Sequence, residues 1–215
     1  VTSPATIWDT VALLTLFDTV NKVSRVYGNL KAQKLAFLAE LAAEHENVRV
    51  LHYRFFRYTF GPYSGQLATW IERLEKKDIL TSGRLLTKRG RYVLDYAAEA
   101  VSESTRATTA LDVMRETAKK FGRRSGVALK DYVYGLTVPV LDLNGETRRV
   151  RDIPLGLDII DPSRDPNLAE VSPFDGDALE ELSAELAMNH ELLRPDSHAY
   201  KRTVSESLRR ALASQ

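Results

Sequence analysis

The chain has 215 residues, 44% of them hydrophobic, no cysteine and a formal net charge of +1. Such length and apolar content suffice for a buried core in one large domain, or one domain with an appendage, and the lack of cysteine excludes disulfide frameworks and thiolate chemistry. The near-neutral total hides an asymmetry: residues 1–151 hold 24 Lys and Arg against 16 Asp and Glu, and residues 152–215 hold 6 against 13. A basic body with an acidic tail is read either as ordinary solvated surface or as a basic face for an acidic partner, with the tail competing for it. No apolar run reaches membrane-spanning length, and the N-terminus lacks a signal-peptide pattern. The expected compartment is the cytoplasm, with no membrane partner.

In chain order, Ile7, Val11, Leu14, Phe17, Val20, Val23 and Tyr27 recur at spacings of three and four and predict one helix that Gly28 ends. A second helix starts at Asn29 or Leu30, buries Leu35, Phe37, Leu38, Leu41 and Ala42, and ends by Glu46. Between Val48 and Phe60, β-branched and aromatic residues alternate with Arg49, His52, Arg54 and Arg57, the pattern of a strand or an extended segment. Gly61-Pro62 reads as a tight turn, and Ser64 as the cap of a third helix over about Gly65–Lys77. Ser82-Gly83 between Asp78–Leu80 and Arg84–Leu86 predicts a small hairpin, after which Thr87 caps another helix.

Three helices, a small hairpin and a helix is the order of a winged-helix domain. Further helices are expected over about Ser104–Phe121 and Val127–Leu136, then a hairpin around Asn144-Gly145 between Pro139 and Val150. Residues 152–176, with four prolines and scattered aspartates, read as a linker or surface-wrapping segment. Two last helices carry apolar stripes, Leu179, Leu182, Leu186 and Leu193 in one and Tyr200, Val204, Leu208 and Leu212 in the other.

No catalytic constellation is visible. His45, His52, His190 and His198 lack metal-ligand spacing, Ser64 lies in the wrong position for a nucleophile elbow, and no P-loop or dinucleotide-binding glycine pattern occurs. The expectation is therefore a chain without enzymatic activity, catalytic residues, metal or cofactor. Two binding surfaces are candidates. For a protein partner, Arg54, Arg57, Tyr58, Tyr63 and Gln66 surround the Gly-Pro segment, and aromatic rings beside arginine are what interfaces favour. Leu179, Leu182, Leu186 and Leu193 form a second stripe, for a partner or for packing against the N-terminal domain. For nucleic acid, the third helix offers Gln66, Arg73, Lys76 and Lys77 and the wing offers Arg84, Lys88, Arg89 and Arg91, although Glu72 and Glu75 on the same helix would repel phosphate.

A family resemblance attaches to two of these stretches. Leu30-Lys31-Ala32-Gln33-Lys34-Leu35-Ala36-Phe37-Leu38-Ala39 resembles the KLQKLLYFA helix of the Panacea (SocA-like antitoxin) domain, and the aromatic strand running into Gly61-Pro62 resembles that domain's W.yGP segment. The Tyr58–Leu80 stretch, with the later Phe121–Tyr134 segment, is similar to YwgA-like uncharacterised bacterial proteins. The resemblance spans roughly residues 8–138. Ala32 stands at a Leu of the first pattern and Tyr63 at a Val of the second. It implies protein binding without catalysis, as in antitoxins that neutralise toxins by direct contact.

The expected fold is mainly α with small β elements: a winged-helix-like N-terminal domain with extra helices over 1–138, then an extension over 139–215 of hairpin, acidic linker and two C-terminal helices. The expected function is a non-enzymatic protein-binding module, a toxin-neutralising antitoxin with a cognate toxin encoded nearby or a regulatory adaptor. The alternatives are a winged-helix DNA-binding transcriptional regulator and a subunit of a phage-defence or nucleic-acid-processing assembly.

Overall fold

A computed structural model of the chain describes residues 3–164, 173–174 and 176–187. Two helices form its centre because each carries a long unbroken run of buried side chains. In α1 (Pro4–Asn21) burial is unbroken from Ile7 to Phe17, and in α2 (Gly28–His45) from Lys31 to Glu40. A helix enclosed on all sides must be surrounded by others. Around these two pack α3 (Gly65–Lys76), α4 (Lys88–Ser102), α5 (Thr105–Phe121), α6 (Gly126–Gly135) and α7 (Gly176–Ala187). Strands β1 (Phe55–Tyr58), β2 (Gly61–Tyr63) and β5 (Asp158–Ile160) form an antiparallel sheet in the order β2-β1-β5, while β3 (Thr137–Val140) and β4 (Glu146–Arg149) pair as a hairpin. The protein is mainly α with small β elements, as the sequence predicts.

The helix starts follow local chemistry. Ser64, Thr87, Ser104 and Ser125 each accept a hydrogen bond from the amide three residues on, at 3.1–3.3 Å. Each such cap contributes about 1 kcal/mol. Asn144 (φ 53°) and Gly145 (φ 78°) close the β3–β4 hairpin as expected from their tolerance of the left-handed region.

Several expectations are corrected. The first helix ends at Asn21, and Gly28 (φ +69°) opens α2 instead of stopping α1. Val23 and Tyr27, read as the end of the apolar stripe, are 44% and 74% exposed in the connecting loop. A tertiary contact holds that loop: the Lys31 ammonium donates to the Arg25 carbonyl at 2.7 Å. Of the expected strand or extended segment 48–60, Phe55–Tyr58 is the part that pairs as a strand. Upstream, side chains stand in for a neighbouring strand. The amides of Leu51, His52 and Arg54 donate to Glu40 Oε2, Asp9 Oδ1 and Gln66 Oε1, and Trp8 Nε1 donates to the Val50 carbonyl.

The turn lies at Thr59-Phe60, not at Gly61-Pro62, which belong to β2 and face Tyr58 and Arg57 across the ladder. The expected wing is reduced to a single bridge, Leu80 with Leu86. Within the expected linker, β5 pairs with β1. No break in the core coincides with position 138: Val138, Val150, Ile159, Leu182 and Leu186 share one apolar cluster with Trp8 and Phe37. Leu193 and the stripe of Tyr200, Val204, Leu208 and Leu212 lie outside the described residues.

Candidate functional site

The two sequence motifs meet in space. On α2, Gln33 Nε2 donates to the Ser64 carbonyl at 2.8 Å and Gln33 Oε1 accepts from the Ser64 amide at 2.9 Å, so one side chain serves the backbone as a strand partner would. Next to it, Lys34 Nζ donates to the Pro62 carbonyl at 2.6 Å. These bonds cover the outer side of β2, an edge strand of the sheet, and Pro62 brings no amide hydrogen to that edge. Gly61 has φ +92°, and a Cβ there would lie 3.3 Å from the Tyr134 ring and 3.5 Å from Lys34 Nζ. The glycine thus admits both the backbone angle and the close approach of the lysine. Burial, with the neighbouring Arg57 charge adding to it, pushes the Lys34 ammonium down to about 7.

Above this clamp stands an aromatic surface. Tyr58 and Tyr63 lie 5.3 Å apart between ring centroids, and both touch Phe56 edge-on at 6.0 and 5.9 Å. Tyr58 is 52% exposed and Phe60, in the turn, 58%. With Asn29, Leu30, Gln33, Lys34 and Gly61 these rings line a groove of about 180 Å³. Such large apolar rings, held on a clamped hairpin and open to solvent, can bind a partner with little loss of side-chain freedom. Phe60, Leu30 and Asn29 were not among the expected contacts. The one local hint was the position of Phe60 between an aromatic strand and a glycine.

The other expected protein-contact residues divide. Arg57 is buried, 8% exposed: its Nε donates to the Val150 carbonyl at 2.9 Å, its guanidinium also reaches the Tyr58 carbonyl, and it lies 5.1 Å over the Tyr134 ring. It is an internal strut and no surface contact. Arg54 Nε donates to the buried Asp158 at 2.5 Å. Gln66 is exposed and, with Asp9, Tyr53, Trp70 and Arg73, lines a separate cleft of about 380 Å³. Leu182 and Leu186 are fully buried and Leu179 partly so, because α7 packs on α1 and α4; these three leucines serve packing.

The expected nucleic-acid face is partly engaged within the protein. Arg89 donates to Glu185 Oε1 at 2.6 Å and to the Lys77 carbonyl at 2.7 Å, Arg91 pairs with Asp18, and Lys77 Nζ donates to the Ala187 carbonyl at 3.3 Å. Arg84 is half-buried, with a hydrogen bond from Asn21 to its carbonyl. Arg73, Lys76 and Lys88 remain exposed. The acidic α7 therefore lies against part of the basic surface, with Glu181 also accepting from Tyr92 Oη at 3.1 Å.

A second polar cluster sits under residues 49–53. Burial pushes the Glu40 carboxyl up to about 8 even though the Leu51 amide donates to it. Asp9 is raised by burial against the opposing effect of His52, whose Nδ1 lies 2.8 Å from Asp9 Oδ1. His52 Nε2 and Tyr53 Oη are buried without hydrogen-bond partners. Sequence spacing gave no sign of this cluster, since Asp9, Glu40 and His52 come from three separate segments. Among the described residues, no group of three or more His, Asp or Glu is placed to hold a metal ion, and no helix is long and apolar enough to cross a membrane. No protein-family model matches the chain, and no curated protein or solved structure matches it.

Proposed function

We propose that this chain is a non-enzymatic protein-binding module of the cytoplasm, acting as an antitoxin or adaptor through the aromatic surface of its β1–β2 hairpin. The observation that carries this reading is the pairing of exposed Tyr58 and Phe60 with a backbone fixed from below by Gln33 and Lys34. Interfaces concentrate their energy in rigid aromatic anchors surrounded by polar groups, and Asn29 and Gln33 border the groove here. The motif resemblance to antitoxin domains points the same way. The test is co-expression with the product of the neighbouring gene. A stable complex and relief of that product's toxicity are expected, both weakened by Tyr58→Ala with Phe60→Ala. Failure of the wild-type chain to bind or to relieve toxicity would refute the proposal.

A further inference from the structure

The start of α2 also borders a charged surface that the protein-binding reading does not use. Lys31, 3% exposed, sends its ammonium to three acceptors: Ser24 Oγ at 3.2 Å, the Arg25 carbonyl at 2.7 Å and the Gly122 carbonyl at 2.6 Å. Two carbonyls that share one ammonium are close neighbours, so the α1–α2 loop and the α5–α6 turn form one surface, although Lys31 and Gly122 are 91 residues apart in the chain. The start of α6 presses on α2 at the same place, where a Cβ on Gly126 would lie 3.3 Å from the Lys31 amide nitrogen.

Arg25, Arg123 and Arg124 stand exposed on these two segments, and none forms an ion pair among the described residues. The acids nearest along the chain are already matched: Asp18 with Lys22 at 2.8 Å, Glu116 with Lys119 at 2.6 Å and Asp131 with Lys130 at 3.0 Å. The Arg124 guanidinium lies 4.9 Å over the Tyr132 ring and 5.6 Å from that of Phe121, which pre-orders it. Tyr27, in the same loop as Arg25, is 74% exposed and offers a free aromatic ring.

We infer that this surface binds single-stranded nucleic acid, the three arginines meeting successive phosphates and Tyr27 stacking on a base. Unpaired guanidinium groups fit phosphodiester oxygens, and an exposed ring beside them is the combination that single strands use. The third-helix face is less suited, because Glu72 and Glu75 interrupt Arg73 and Lys76 there.

The test is fluorescence anisotropy with labelled oligothymidylate and oligouridylate, and with a duplex of the same length. Single strands should bind at low salt with a slope of log K against log salt of roughly −2, from three neutralised phosphates. R25E/R123E/R124E should abolish binding, R25E/R123E, which leaves the stacked Arg124 in place, should weaken it at least about tenfold, and Tyr27→Ala should weaken it roughly tenfold. R73E/K76E/K88E should leave it unchanged. The inference is overturned by absence of a complex at low salt, by tighter binding of the duplex, by an equal loss from R73E/K76E/K88E, or by equally tight capture of phosphatidylserine vesicles.

Discussion

Lys34→Met isolates the lysine beneath the hairpin. The amine is buried, donates to the Pro62 carbonyl, and titrates near 7 in the folded protein against 10.5 for the ordinary side chain. Between those values the unfolded chain holds a proton that the folded chain has lost. Folding stability therefore rises with pH across the window from about 7 to 10.5, by about 1.4 kcal/mol per unit and about 5 kcal/mol at most. Below pH 7 the folded state must keep an ammonium in a site that disfavours charge, and the contribution is flat. Methionine keeps much of the volume and removes the titration. Urea unfolding of both proteins at several pH values gives the difference in stability directly. That difference, wild type minus variant, should be smallest below pH 7 and climb steadily above it. A difference that stays level, or falls, between pH 7 and 10.5 would refute the account of a lysine held largely neutral.

Gln33→Leu should destabilise the protein by roughly 2–4 kcal/mol in the same urea assay. The Ser64 carbonyl would keep the Ala68 amide as a donor at 3.2 Å, but the Ser64 amide would lose its acceptor. Glu40→Gln should remove a pH dependence of the opposite sign. The Glu40 carboxyl is raised from 4.5 to about 8, so its contribution to stability is fully present below 4.5 and is lost as pH rises to about 8. Thermal midpoints of wild type and variant should therefore converge or cross between pH 4.5 and 8, and parallel curves would contradict the assignment.

What the sequence made legible was what depends on near neighbours. The caps at Ser64 and Thr87 and the Asn144-Gly145 turn need only three or four residues to be recognised. The helical stripe through Val20 was equally local, but its extension to Tyr27 failed because Lys31 holds the loop through contacts that periodicity does not encode. Arg57 was misread as a surface contact for a related reason. Strand parity puts it on the same side as Phe55, and its partners Val150 and Tyr134 lie far along the chain. The wing failed to form strands because Arg84 takes φ +56° and the segment closes as turns around Thr81.

Of the candidate surface, Tyr58 and Tyr63 were legible as aromatic residues beside a glycine-proline pair. The clamp beneath them was not. Lys31, Gln33 and Lys34 look like the polar face of an amphipathic helix, yet all three are buried, and the backbone groups they serve include the distant Ser64, Pro62 and Gly122. Gln33 and Lys34 join two short motifs that are separated in sequence: one supplies the hydrogen bonds that the other's edge strand and helix start require.

Isothermal titration of the wild-type chain and of Tyr58→Ala with Phe60→Ala against the purified product of the neighbouring gene tests the protein-binding account most directly. Both side chains are more than half exposed, so their removal should leave the melting temperature nearly unchanged. The account predicts a one-to-one complex with the wild type and a loss of affinity of at least about tenfold in the double variant. No detectable binding by the wild type, or equal affinity of the two proteins, would contradict it.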